Sequence, residues 1–243
     1  LKLNKIILPY QVKVIYFPLI FRINKYIPSL AQFIISFFLN LYHKKLKINI
    51  WHIIMMYPTA TISSDYFSNK KIPWVVRAIG VDIQIHDKMQ YGYRINKKIN
   101  SMVINKGTKA SAYIASSKDV LKEYSDLNIR SSKLYEIPNS VNLSLFNNFK
   151  KSDNDFRKKN NILKGEKIFL TVGRNHKKKG FSILLKAIKN FKNKNKLSRV
   201  KFIFYGTNLI PLKKISIDLN ISKECIFIEE KNNVSDFYDY FPN

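Results

Sequence analysis

Between residues 168 and 228, short apolar runs alternate with stretches of helical periodicity. The β-branched and aromatic runs at 168–172, 200–205 and 225–228 are short and read as strands. Between the first two, Phe181, Leu184, Leu185 and Ile188 recur at helical spacing, and a second helix is expected over 211–219. Strands separated by helices build βαβ units and a parallel sheet. A further helix is expected to begin near Ser235.

The first half carries the same kinds of signal at wider spacing. Ile48 to Ile54 reads as a buried strand and Pro73 to Arg77 as the next. A helix is expected from Arg94 to about Val103, with Ile95, Ile99, Met102 and Val103 on one side. Ser111 to Ala115 is a strand, and Ser116 can cap a helix beginning near Lys118. A short strand over Leu134 to Ile137 is stopped by Pro138. Lys150 to Lys164 is polar and charged and reads as the linker to a second domain.

From Ile27 to Tyr42 the apolar stripe is unusually broad. Ile27, Leu30, Ala31, Ile34, Ile35, Phe38 and Leu41 are widened by Phe33 and Phe37, and lysines follow at 44, 45 and 47. Such a helix lies in a membrane interface or faces a core with basic ends; the narrow polar face favours the core.

The 243 residues contain 43 Lys+Arg against 16 Asp+Glu, a net charge of +27. That excess invites a nucleic-acid reading, but the lysines are spread along the chain, as a compositional bias would spread them, with no nucleic-acid motif beside them. An anionic lipid surface or anionic substrate fits better. The single cysteine, Cys225, lies in an apolar run; it excludes an intrachain disulfide and reads as a buried strand residue.

The chemistry concentrates where the strand at 168–172 ends. Gly173 and Arg174 follow at once, then Asn175, His176 and three lysines to Lys179, then Gly180 and the helix. A helix N-terminus presents unsatisfied N–H groups, and Arg174 and Lys179 add positive charge beside it. Strand, cationic loop and helix together form an anion site suited to a diphosphate, with His176 within the same loop. Gly206, at the end of the next strand, lies on the same edge of the sheet, where ligands of parallel sheets bind.

These residues resemble a known family. Val172-Gly173-Arg174 with Lys179-Gly180 is similar to the donor-phosphate loop of nucleotide-sugar glycosyltransferases of the two-Rossmann GT-B type, family 4 (glycosyl transferases group 1). Ile137-Pro138-Asn139-Ser140-Val141-Asn142, followed by Phe146, resembles that family's Ile-Pro-Asn-Gly-Val-Asp segment. Val76 to Gln84, and Tyr91-Gly92-Tyr93-Arg94, resemble a loop of its N-terminal domain, and Ala115-Ser116-Ser117 fits a strand end there.

The resemblance implies an α/β chain of two Rossmann-like domains facing a cleft, both incomplete here: an acceptor-side domain over 1–148 without its first strand, and a truncated nucleotide-sugar-binding domain over 149–243. It implies Arg174 and Lys179 as catalytic groups, and Gly173, Arg174, Lys179, Asn139 and Gly206 as donor-binding residues. Gly80 and Asp82 are sugar or acceptor candidates; the alternative for Asp82 is a turn residue. The expected activity is retaining hexosyl transfer from a nucleotide-sugar to a saccharide or lipid-linked acceptor in cell-surface polysaccharide or glycolipid synthesis. The expected location is cytoplasmic, with peripheral contact to an anionic membrane on its inner face. No cofactor, metal or nucleic acid is expected. Asp153-Asn154-Asp155 matches a metal-binding Asp-x-Asp but sits in the polar linker, and reads as solvated charge.

Three departures stand against the family pattern. Ile79 occupies the position where many members carry a histidine near the sugar; Ser140 and Asn142 replace the usual glycine and aspartate. No glutamate has another eight positions away, whereas the family uses such a pair to hold the donor. The expectation is therefore a fragment at both ends, inactive alone. A non-catalytic nucleotide- or sugar-binding paralogue and, third, a basic nucleic-acid-binding α/β protein are the alternatives.

Overall fold

Parallel pairing is what the sequence pattern demands, and the computed structural model shows it twice. It describes residues 20–143, 153–194 and 199–229. The chain divides into two compact units, Leu1–Asn139 and Ser140–Asn243.

Among the described residues, the first unit begins with helices α1 (Ile20–Tyr26) and α2 (Pro28–Leu46). Strands β1 (Trp51–Ile54), β2 (Trp74–Arg77), β3 (Ala112–Ala115) and β4 (Leu134–Glu136) follow, joined by α3 (Thr61–Lys70), α4 (Lys97–Asn105) and α5 (Lys118–Ser125). The sheet order is β1-β2-β3-β4, every pair parallel, with Trp51 opposite Trp74 and Tyr113 opposite Leu134. Helical crossovers between sequential parallel strands bring all the βα loops to the carboxyl edge.

The core is rich in aromatic rings. Trp74, Tyr113, Tyr124 and Phe67 are fully buried, and Phe67 stacks on Trp74 with ring centres 5.2 Å apart. The phenols of Tyr113 and Tyr124 have backbone partners. The Tyr124 hydroxyl accepts the Ala78 N–H at 2.8 Å and lies 3.4 Å from the carbonyls of both Val76 and Ile114. Burial raises its pKa, so it stays a neutral donor and acceptor. One hydroxyl on α5 thus ties together the ends of β2 and β3.

Four local expectations are corrected. β1 is the outermost strand of its sheet among the described residues, and within it only Ile53 is buried while His52 and Ile54 face outward. Arg94 precedes α4 in a separate turn, where its buried guanidinium donates to the Ile83 carbonyl at 2.7 Å and to Asn100 at 2.8 Å. The α5 cap is Ser117, whose Oγ accepts the Val120 N–H, and not Ser116. The core-facing reading of α2 holds on one side only. Ala31 is fully buried and Leu39 packs on the core, yet Phe33 is 71% and Phe37 59% exposed.

The second unit contains α6 (Asp153–Lys159), β5 (Lys167–Val172), α7 (Phe181–Asn193), β6 (Val200–Gly206), α8 (Ile210–Asp218) and β7 (Cys225–Glu229). The sheet order is β5-β6-β7, again parallel, with Phe169 opposite Phe202 and Gly206 opposite Glu229. Part of the expected linker is in fact helical. Phe156 of α6 is buried with Ile162, Ile203 and Tyr205 on one sheet face, so α6 is a covering layer rather than a tether. Phe181, Leu185, Ile188, Phe204, Leu209 and Leu212 fill the other face. The helix expected near Ser235 lies outside the described residues.

Tyr124→Phe is expected to cost the first unit about 1–3 kcal/mol, the price of a buried Ala78 N–H left without its acceptor. Chemical denaturation of wild type and variant measures it; an unchanged midpoint would show that the hydroxyl does not tie the strand ends.

Candidate functional site

At the carboxyl edge of the second sheet, two glycines let backbone pack on backbone. The Gly173 N–H donates to the Tyr205 carbonyl and the Asn175 N–H to the Thr207 carbonyl, both at 2.9 Å. A Cβ on Gly206 would lie 1.8 Å from the Gly173 carbonyl oxygen and 3.3 Å from the Arg174 nitrogen. No side chain fits there, so Gly206 lets the loop after β5 lie directly on the end of β6.

That loop places the cations. A Cβ on Gly173 would be 3.5 Å from the Phe181 ring and 3.9 Å from Lys179 Cε, so the Lys179 stem passes close to Gly173. Lys177 to Lys179 form a single tight turn, closed by the Lys179 N–H to the His176 carbonyl at 2.8 Å. The His176 Nδ1 accepts the Lys178 N–H at 3.2 Å, which makes His176 a turn-former in this arrangement. Gly180, at a φ of 68°, is the N-cap of α7; it offers no capping side chain, and the first turn of α7 has no acidic residue. Arg174 and Lys179 are both exposed.

The neighbouring helix start is different. Glu229, at the end of β7, accepts the Leu209 N–H at 2.6 Å and the Asn208 N–H at 3.2 Å. A protein carboxylate therefore already serves the start of α8. Of the two helix N-termini on this edge among the described residues, α7 is the one surrounded by cations, which is the condition for capturing an external anion.

In the first unit, the carboxyl edge is organised by a buried carboxylate. Asp82 is fully buried and accepts the Met56 N–H at 2.6 Å and the Ile79 N–H at 2.9 Å. Burial raises its pKa, while the N–H groups of Met56, Ile79, Gly80 and Asp82 itself work in the opposite direction. The side chain points into the protein and joins the loops after β1 and β2. This corrects its expected contact with a sugar hydroxyl: Asp82 positions the loop. Gly80, also buried, turns that loop at a φ of 112°, and Ile79 beside it is 55% exposed. Asn139 lies just beyond β4, exposed. Arg77, the last residue of β2, donates to Asn139 Oδ1 at 2.7 Å and to the Ile137 carbonyl at 3.0 Å. The Asn139 amide is thereby oriented, with its Nδ2 donors on the side away from that contact.

Gly173, Arg174, Lys179 and Gly206 thus come together in one unit, and Gly80 and Asp82 share one loop in the other. Arg77 and Glu229 were not singled out from the sequence. Each ends an apolar run at a strand's carboxyl end, and that position was the available signal. Cys225 is buried and its thiol is pushed up to about 12, foremost by that burial; it is chemically quiet. Among the described residues, no group of three His, Cys, Asp or Glu side chains gathers as a metal site.

Residues 152–241 match the family described as glycosyl transferases group 1. The fold is that of GT-B glycosyltransferases. A glycosyltransferase from Rickettsia africae superposes with a TM-score of 0.67 at 15% identity, covering 93% of this chain and 61% of that one. HepE from Anabaena, solved with UDP-glucose, gives 0.58 at 12% identity over 85% of this chain and 53% of its own. The lipopolysaccharide outer core galactosyltransferase WaaB, in its apo form, gives 0.53 at 11% identity, with 85% and 50% covered. The chain therefore spans between half and about three fifths of these structures' length. No curated protein sequence matches it.

Asp82→Ala would strand two buried N–H donors and is expected to cost about 3 kcal/mol of stability. A residue that served only to touch a ligand would leave the denaturation midpoint where it was, and that result would restore Asp82 as a ligand contact.

Proposed function

We propose that the protein is a nucleotide-sugar-dependent glycosyltransferase that passes a hexose to a saccharide or lipid-linked acceptor with retention of configuration. The observation that carries this reading is the loop between β5 and α7. There Gly206 admits the Gly173 backbone, Lys179 passes beside Gly173, and the helix start has no carboxylate of its own.

Breaking the bond between sugar and nucleotide leaves two electrons on the departing diphosphate oxygen. The charge that grows there is what a catalyst must stabilise. Arg174 offers a planar fork of N–H donors, Lys179 a point charge, and α7 its N-terminal N–H groups. These three suffice in kind for leaving-group stabilisation, so a metal ion is not part of the proposal. Binding also orients the donor, and orientation is as much a part of the rate as charge. In the first unit, Asn139 held by Arg77 is the donor-binding candidate, and Gly80 is the sugar or acceptor candidate. HepE was solved with UDP and with UDP-glucose, which makes a uridine nucleotide the first donor to test. Synthesis of cell-surface polysaccharide or glycolipid is the role that suits a saccharide or lipid-linked acceptor, and a lipid-linked one would bring the protein to the inner face of the membrane.

One observation favours a second reading. Ile79, at the position where the resembling enzymes often carry histidine, is 55% exposed and can neither donate a hydrogen bond nor move a proton. A nucleotide-binding paralogue without transfer would keep the β5–α7 loop and lose that group.

Calorimetric titration with UDP tests the shared claim. Arg174→Ala and Lys179→Ala should each weaken binding by roughly tenfold to a hundredfold, as for a lost charged hydrogen bond, and chelator should change nothing. Unchanged affinity in both variants overturns the assignment of the loop. Binding that survives only with added divalent metal overturns the metal-free mechanism.

A further inference from the structure

Helix α2 is apolar on nearly every side, and that is unusual for a helix at the surface. Successive residues step by about 100° around a helix, so Ala31, Ile35, Leu39 and Tyr42 share one side and Leu30, Phe33, Phe37 and Leu41 the opposite one. The first side is where Ala31 is fully buried and Leu39 meets the core. On the opposite side Leu30 is 43%, Phe33 71%, Phe37 59% and Leu41 45% exposed. Four large apolar side chains in register over three turns form a continuous surface stripe, and such a stripe marks an interaction site.

The charges on the same helix define the partner. α2 contains no acidic residue, and its last turn and cap carry exposed Lys44, Lys45 and Lys47. Lys44 falls in line with Phe33 and Phe37 on the exposed side. Nearby Asp65 is engaged by Gln32 and by Lys106, the latter at 2.7 Å, so it does not neutralise these lysines. Among the described residues, no helix is long and apolar enough to cross a membrane. Aromatic and leucine side chains on one face with lysines at its margin match an interfacial helix, whose rings enter the acyl boundary while its ammonium groups meet lipid phosphates. Pairing with a second copy would bring together two chains of net charge +27, which long-range repulsion opposes.

We infer that α2 docks the protein on an anionic lipid surface, lying in the membrane plane with Leu30, Phe33, Phe37 and Leu41 inserted and Lys44, Lys45 and Lys47 on the headgroups. The inference rests on the first unit alone and stands whether or not the second unit transfers sugar.

Flotation with vesicles tests it, using mixed phosphatidylglycerol and phosphatidylcholine against phosphatidylcholine alone. The native chain should float with the anionic vesicles only. Phe33→Glu combined with Phe37→Glu should weaken this by at least roughly tenfold, since it removes two apolar anchors. Lys44→Glu combined with Lys45→Glu should weaken it by roughly fivefold or more per lysine and decrease its salt sensitivity. All four positions are exposed, so the thermal midpoint followed by circular dichroism should not move. Undiminished flotation of the phenylalanine variant overturns the proposal, as does equal binding of the native chain to both vesicle types. Sedimentation showing a native dimer that only the phenylalanine variant dissociates would assign the stripe to a second copy instead.

Discussion

The approach of Gly206 to the Gly173 carbonyl is the contact on which the candidate donor site depends. A Cβ would have to sit 1.8 Å from that oxygen, so any side chain at position 206 would push the loop off the end of β6. With the loop displaced, Lys179 would no longer lie against Gly173, and Arg174 would leave the strand end. Two further features keep the seat electropositive. The tight turn over Lys177 to Lys179 is braced by His176, and Glu229 is committed to the start of α8. An internal carboxylate serves the start of α8 and none sits in the first turn of α7, which leaves the α7 N-terminus open to an external anion.

The first unit solves a related problem with the opposite charge. Its βα loops converge on one edge, where backbone N–H groups have no strand to pair with. Asp82 satisfies those of Met56 and Ile79 from within the protein, and Tyr124 does the same for Ala78. The loop at Gly80 is therefore preorganised by buried groups. Arg77 extends this logic to the surface by fixing Asn139. Preorganisation of this kind lowers the ordering cost of binding.

Period and punctuation made the second sheet legible in the sequence. Three apolar runs, each ending in glycine or an acid and separated by helical spacing, sit within a residue or two of where β5, β6 and β7 lie. The cationic loop was equally legible, because helix, glycine and charge are adjacent in the chain. What failed were features decided by contacts distant in sequence. Asp82 looked like a ligand contact because nothing in its neighbourhood announces that Met56 donates to it. The segment at 150–164 looked like a linker because the few apolar residues in it, Phe156 and Ile162 above all, reveal their weight only when β6 is laid beneath them. The outward face of α2 was unreadable for the same reason: its stripe is so wide that periodicity cannot say which side meets the core.

The account turns on whether the loop between β5 and α7 holds a diphosphate. The most direct measurement is an NMR titration of the backbone amides with UDP. The account predicts saturable shifts concentrated at Gly173, Arg174, Gly180, Phe181 and Gly206, persisting in chelator. Shifts scattered over the exposed lysines and abolished by moderate salt, with those five amides unmoved, would contradict it and reduce the loop to one more basic surface of a basic chain.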